Sequence, residues 1–286
     1  MERFNTTNYA RRKFGDAFMT FLCMMAAILG IVLLGLILWT LVSKGLGGVS
    51  ANVFLHPMQT PGHGGGLANA IVGSLIQTGL GAALGAPLGM LVGVYLAEIG
   101  KGSRVASVVR FVNDILLSAP SVLIGLFVYR IAVAPFGRFS GWAGALALAL
   151  LAMPIVARTT EDILRLVPDA YRDGARALGS RDNQVVRLVI VPAAFGGILT
   201  GMLLAVARIA GETAPLIFTS LGNNNWSTDL SRPMASLPIA IYRYAGSAYQ
   251  EWVDMAWTGA LLITVGVLAL NIASRISHKL VTARGS

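Results

Sequence analysis

Six stretches of the chain, 17–42, 67–97, 111–133, 141–157, 188–218 and 255–273, carry almost no Asp, Glu, Lys or Arg. A helix needs roughly 20 apolar residues to cross about 30 Å of hydrocarbon, and each stretch approaches or exceeds that length. They predict an all-α membrane protein with six transmembrane helices. Composition agrees: hydrophobic residues make up 55% of the 286 and charged residues 12%, with a mean hydropathy of +0.70. A water-soluble domain of this size and composition would aggregate.

The net charge of +9 and the pI near 10.2 would suit nucleic acid if the basic residues formed one patch. They are spread between the apolar runs instead, so no nucleic acid partner is expected. Sixteen of the 22 Lys and Arg fall in the segments 3–13, 98–110, 158–187 and 275–284, which share one side if the spans alternate. Short basic segments stay cytoplasmic, so both termini are expected inside. Arg11, Arg12 and Lys13 resemble the start of a signal peptide, yet the apolar run after them far exceeds a signal's roughly 7 to 15 residues. No small-residue cleavage site follows, and the run is expected to be a retained, peripheral first span. The expected layout is a cytoplasmic segment 1–16, a transmembrane domain 17–273 and a cytoplasmic tail 274–286.

Several residues invite a functional reading and favour a bland one. Cys23 is the lone cysteine and sits in the first run, where a small buried apolar role is expected and a disulfide is excluded. His56 and His63 lie in a Gly- and Pro-rich segment with no Cys or nearby carboxylate to complete a metal site. Asp114 suits the first turns of a helix, where the macrodipole favours an acid. Gly81, Gly85, Gly89 and Gly93 recur every four residues in the second run, leaving a helix stripe that a neighbour's backbone can approach closely. Pro87 in the same run is expected to kink the helix.

The segment 158–187 is the longest and most charged gap between runs, with six Arg and five acidic residues. Within it, 169–178 follows Pro168 and reads as a short helix with Tyr171, Ala175 and Leu178 on one face, ended by Gly179. An aromatic and small apolar residues rimmed by Arg suit a helix-in-groove contact with a partner.

From here the sequence resembles the membrane subunits of ABC importers, whose cytoplasmic signature is Glu-Ala-Ala, three residues, Gly, nine residues, then Ile-x-Leu-Pro. Asp173, Gly174, Ala175, Gly179 and Val189 to Pro192 fall at those spacings. Among the departures only Gly174 has a physical cost, about 1 kcal/mol of helix propensity against Ala. The resemblance implies that 169–179 is the coupling helix that docks on a separate ATPase, with Tyr171, Asp173, Gly174, Ala175, Leu178, Gly179 and Pro192 as coupling residues. A phosphate-cradling loop needs Lys followed by Ser or Thr, and the four lysines are followed by Phe14, Gly45, Gly102 and Leu280. Energy must therefore come from another chain, which would bind ATP and Mg; no cofactor is expected in this one.

Arg208 and Glu212 lie one helical turn apart in the fifth run. Measured from Pro192, Arg208 is about 24 Å along a helix rising about 1.5 Å per residue. Charges at such depth are costly unless they face protein or water. The pair fits a structural ion pair or a snorkelling Arg, and it also fits an anion site in which the guanidinium fork grips an oxyanion and Glu212 holds the fork.

Further stretches, Pro87 to Glu98, Ala119 to Phe127 and Gly211 to Pro215, look like the A-type permeases of phosphate-specific importers. That resemblance implies the MetI-like fold of type I ABC importer permeases in a bacterial inner membrane, with Arg208 and Glu212 on the phosphate path. It implies as partners a sister C-type permease, a dimer of ATP-binding subunits, an external phosphate-binding protein, inorganic phosphate and membrane lipid. The alternatives are a permease of the same architecture for another oxyanion or phosphonate, and a proton-coupled secondary carrier using Glu212 as relay. Internal repeats are common in such carriers, and none is evident here.

Overall fold

The computed structural model describes residues 6–283, with side chains for 12–273 and 276. The outermost parts of the expected terminal segments, 1–5 and 284–286, lie outside the described residues. Twelve helices follow one another among the described residues: α1 (Thr6–Gly47), α2 (Ala51–Leu55), α3 (Ala68–Val94), α4 (Arg104–Ser118), α5 (Ser121–Val128), α6 (Gly141–Arg165), α7 (Asp169–Ala177), α8 (Asp182–Gln184), α9 (Val191–Ala210), α10 (Ala214–Thr219), α11 (Leu237–Ala245) and α12 (Gln250–Ala283). Wide π-helical turns extend α3 through Tyr95–Ile99, α5 through Tyr129–Val133, and join α8 to α9 through Val185–Ile190.

Five helical runs are long and apolar enough to span a membrane: Arg12–Gly47, Ala68–Ile99, Gly141–Arg165, Asp182–Ala210 and Gln250–Ala273. The expected straight third span is instead α4 and α5 meeting at 105°. Ala119 and Pro120 are extended at the joint, since Pro cannot continue the ladder of α4 and pushes the residue before it out of the α region. The fifth span also differs from expectation. It ends at Ala210, passes Gly211, Glu212 and Thr213, and resumes as the separate helix α10. α11, between the fifth and sixth runs, is packed and not a loose connection: Leu237 to Ala240 and Tyr244 are buried against neighbouring elements.

The glycine stripe is the packing face the sequence predicts. A Cβ at Gly85 would lie 2.6 Å from the carbonyl oxygen of Ala149, one at Gly89 2.5 Å from that of Met153, and one at Gly93 2.6 Å from that of Ala157. α3 and α6 therefore touch backbone to backbone, a closeness that only small residues permit and that dispersion rewards where lipid offers no hydrophobic drive. Pro87 does not end α3, which runs through it.

α1 stands apart. It touches the rest only near its end, where Leu41 is buried, a Cβ at Gly45 would meet Leu261, and Thr258 Oγ1 donates to the Gly45 carbonyl at 3.2 Å. The peripheral first span expected from sequence is thus observed, but Cys23 is exposed on it, contrary to expectation. Among the described residues no second helix lies alongside to cover a side chain there.

Hydrogen bonds sort the connections to two ends. Gly62 N donates to Glu251, Asn69 Nδ2 donates to the carbonyls of Asn223 and Asn224, and Gly141 N donates to the Arg232 carbonyl, which gathers the 45–69, 219–236 and 244–258 regions at one end. The segments 98–104 and 158–187 meet at the other, around Glu98, Arg172 and α7.

Candidate functional site: a docking helix and a charged break

Helix α7 starts at Asp169, as read from sequence, and ends at Ala177, one residue before the expected end. Pro168 precedes it in an extended conformation, and Asp169 sits in the first turn, where the macrodipole favours a carboxylate. Its end is a Schellman motif: Gly179 adopts φ +82, its N–H donates to the Arg176 carbonyl at 2.9 Å, and Ser180 N donates to the Ala175 carbonyl at 3.1 Å. A side chain with Cβ would be strained at that φ.

The outward face differs from the one expected. Ala175 is buried against Ala97, Leu164, Val185, Ile190 and Ala194 of its own chain. Tyr171, Asp173, Gly174 and Leu178 are exposed; Leu178 keeps 88% of its accessible surface, and nothing stands within 4 Å of a Cβ placed on Gly174. The free stripe is therefore Tyr171, Gly174 and Leu178, at i, i+3 and i+7, with buried Ala175 on the flank that turns toward the rest of the chain. Pro192 is exposed where the wide turn passes into α9, inside the continuous helical run Asp182–Ala210, and its missing N–H removes one bond from that run's ladder.

Arg172 holds α7 in place and was not singled out in the sequence. Its Nε donates to Glu98 Oε2 at 3.1 Å and Nη2 to Glu98 Oε1 at 2.6 Å. Nη2 also donates to the Leu164 carbonyl at 3.0 Å, while Nη1 donates to the Val167 carbonyl at 2.7 Å and to Asp169 Oδ1 at 3.1 Å. The two side chains of this pair are 6% and 5% exposed. Hydrogen bonding to Glu98 raises the Arg172 pKa above its ordinary value against the opposing pull of burial, with Asp169 adding to the rise. The available signal was Glu98 itself, an acid closing a charge-free run directly before a basic segment.

A second buried carboxylate lies close by. Glu161 of α6, 2% exposed, accepts from Arg110 Nε at 3.0 Å, Arg110 Nη2 at 2.8 Å and Arg165 Nη2 at 2.5 Å, binding α4 to α6. Asp114, expected in a helix's first turns, lies well inside α4 and faces Arg158 at 3.7 Å. Its local partner is that cation and not the helix terminus.

The Arg208 and Glu212 pair straddles the break between α9 and α10. Pro215 explains the break: it has no N–H for the Gly211 carbonyl, and its ring would collide with that carbonyl in a continuing helix. Glu212 N still donates to the Ile209 carbonyl at 3.3 Å, so the turn past the helix end keeps the two side chains together. Arg208 Nη2 lies 3.3 Å from Glu212 Oε1; the Arg side chain is 66% exposed and the Glu only 11%. A mostly buried carboxylate thus lies beside a largely exposed guanidinium, whose planar fork of donors is of the kind that grips an oxyanion. The other break meets this one: α5 packs on α10, and a Cβ at Gly125 would fall 2.7 Å from Pro215 Cα.

A bundle with two broken elements, a short exposed helix outside its spans and an exposed cation at one break is the architecture of a transport permease subunit. The comparisons agree. The model of the binding-protein-dependent transport system inner membrane component matches residues 85–285. The phosphate transport system permease protein PstA of Yersinia pestis is 53% identical over 89% of this chain and 87% of its own length, and that of Haemophilus influenzae is 50% identical over 94% and 96%. The fold resembles the inward-facing MetNI methionine ABC transporter, with a TM-score of 0.63 at 20% identity, covering 75% of this chain and 95% of that one. This chain belongs to the binding-protein-dependent inner membrane transport components, within their PstA branch. It is an integral membrane permease subunit of the ABC importer type, in a family whose ATPase is a separate subunit.

Proposed function

We propose that this chain forms half of the pathway of an ATP-driven importer of inorganic phosphate. The observation that carries the reading is the Arg208 guanidinium, held by Glu212 at a helix break and otherwise open, in a chain about half identical to phosphate transport permeases. Irregular backbone within a span is tolerated where it is buried or lines a water-filled cavity, and an exposed Arg at the break fits the second case. The sister permease, the C-type subunit, would close the cavity from the other side.

In this reading the α7 end faces the cytoplasm, because sixteen of the 22 basic residues belong to segments on that side. Both termini lie there, and the spanning domain covers 17–273. Tyr171, Gly174 and Leu178 enter a groove on the ATPase, with Asp173 at the rim, while Ala175, Gly179 and Pro192 shape the helix from behind. ATP and Mg bind to the two ATPase subunits. Phosphate arrives on an external binding protein at the end formed by 45–69 and 219–236.

The test is uptake of labelled phosphate by the assembled importer in liposomes. Arg208→Gln removes the charge and keeps the helix, and it should lower ATP-dependent uptake by about tenfold or more, as expected for losing a charged hydrogen bond to an oxyanion. The ATPase should still copurify. Uptake at the unsubstituted rate would remove Arg208 from the pathway, and competition by sulfate equal to that by phosphate would reassign the substrate.

A further inference from the structure

We infer that Glu98 and Arg172 form a positioning latch that makes α7 move together with the joined ends of α3 and α6. The inference rests on the importer reading above. A guanidinium has five N–H donors. All five are engaged here: two on Glu98, two on the Leu164 and Val167 carbonyls and one on Asp169. These acceptors belong to three places: the wide turn ending α3, the last turn of α6 with the residue Val167 just beyond it, and the first turn of α7. The carbonyls that a helix leaves unpaired at its C-terminus attract a cation, so Arg172 also caps α6.

Little else ties α7 down. Ala175 contributes one methyl group to an apolar patch, and the Arg176 to Asp182 contact at 3.1 Å is exposed and local. Exposed pairs of that kind contribute little. The buried latch is of another order, because separating it would strand two charges away from water.

What the latch pulls on is rigid. The glycine stripe holds α3 and α6 backbone to backbone, so their ends cannot shift independently. From α6, Glu161 grips Arg110 of α4, α4 bends into α5, and Gly125 of α5 sits on Pro215, three residues past Glu212. A push on α7 therefore has a continuous packed route to the break that carries Arg208. A coupling measurement tests transmission along that route.

Arg172→Lys retains the charge, but a compact ammonium with three donors cannot reach Glu98 and both carbonyls as the fork does. Glu98→Gln retains the shape and removes the opposite charge. Both would be assayed in the full importer with its binding protein, reading phosphate delivered per ATP hydrolysed and the amount of ATPase that copurifies. The expected result is normal copurification, continued hydrolysis and a ratio lower by about fivefold or more. Glu98→Asp, which restores a carboxylate, should recover part of the ratio. Should Glu98→Gln fail to accumulate, Arg172→Lys decides alone. An unchanged ratio overturns the latch, and so does loss of the ATPase from Arg172→Lys, because that marks a structural prop. Absence of ATP-dependent phosphate uptake by the unsubstituted complex would overturn the importer reading instead.

Discussion

At the residue scale, two buried carboxylates near one end of the bundle carry different energetic weight. Glu98 faces an Arg that is itself buried, whereas Glu161 faces Arg110 and Arg165, whose side chains are 31% and 53% exposed. Removing Glu98 takes two of the five acceptors from a buried cation, leaving Asp169 and two carbonyls, and should cost the lower end of about 3–5 kcal/mol. Removing Glu161 lets both Arg heads rehydrate, so Glu161→Gln should cost only about 1–3 kcal/mol. Denaturant or thermal unfolding in detergent compares the two variants directly, and equal losses would contradict the burial argument. The site residues were partly legible: Arg208, Glu212 and the coupling signature could be named because charges and turn residues stand out in an apolar chain. Arg172 could not, since it is one of six Arg in its segment and only its acceptors distinguish it.

At the scale of elements, local chemistry predicts boundaries well and directions poorly. Pro168 and Gly179 bracket α7 because one cannot follow a helical turn and the other supplies the left-handed closure. Pro120 and Pro215 carry the same kind of signal inside apolar runs, but run length masked it, and two spans expected to be straight are broken. The face of α7 was misassigned because i+4 and i+3 spacings from Tyr171 both lie nearby on a helix; burial of Ala175 chooses the second. Close helix contacts yield the next expectation. Gly85→Leu would drive a side chain into the Ala149 carbonyl and should prevent α3 and α6 from meeting, seen as loss of folded protein in detergent extracts. Gly125→Val, at the junction of α5 with α10, should cost about 1–3 kcal/mol by overpacking and lower the melting temperature.

At the scale of the whole molecule, the packed unit runs from α2 to α12, and α1 leans on α12 near its own C-terminal end. Core and lipid-facing Leu should then respond differently. Leu148→Ala, fully buried, should lose about 2–5 kcal/mol, and Leu33→Ala on α1 less than about 0.5 kcal/mol in the isolated chain. A comparable loss at Leu33 would mean that α1 packs more closely than the structure shows.

Sequence alone settles that the chain is helical and membrane-spanning, which face of α3 packs, and, to within a residue, where α7 starts and stops. These properties depend on run length, four-residue spacing and turn chemistry, all local. Only the tertiary structure decided that Arg172 finds Glu98 across 74 residues, that α7 turns Ala175 inward, and that the two broken spans meet at Gly125 and Pro215. In an apolar chain nearly every helix face suits either lipid or protein, so hydrophobic pattern cannot choose among partners. Backbone approach and buried charge make that choice, and they join residues far apart in the sequence.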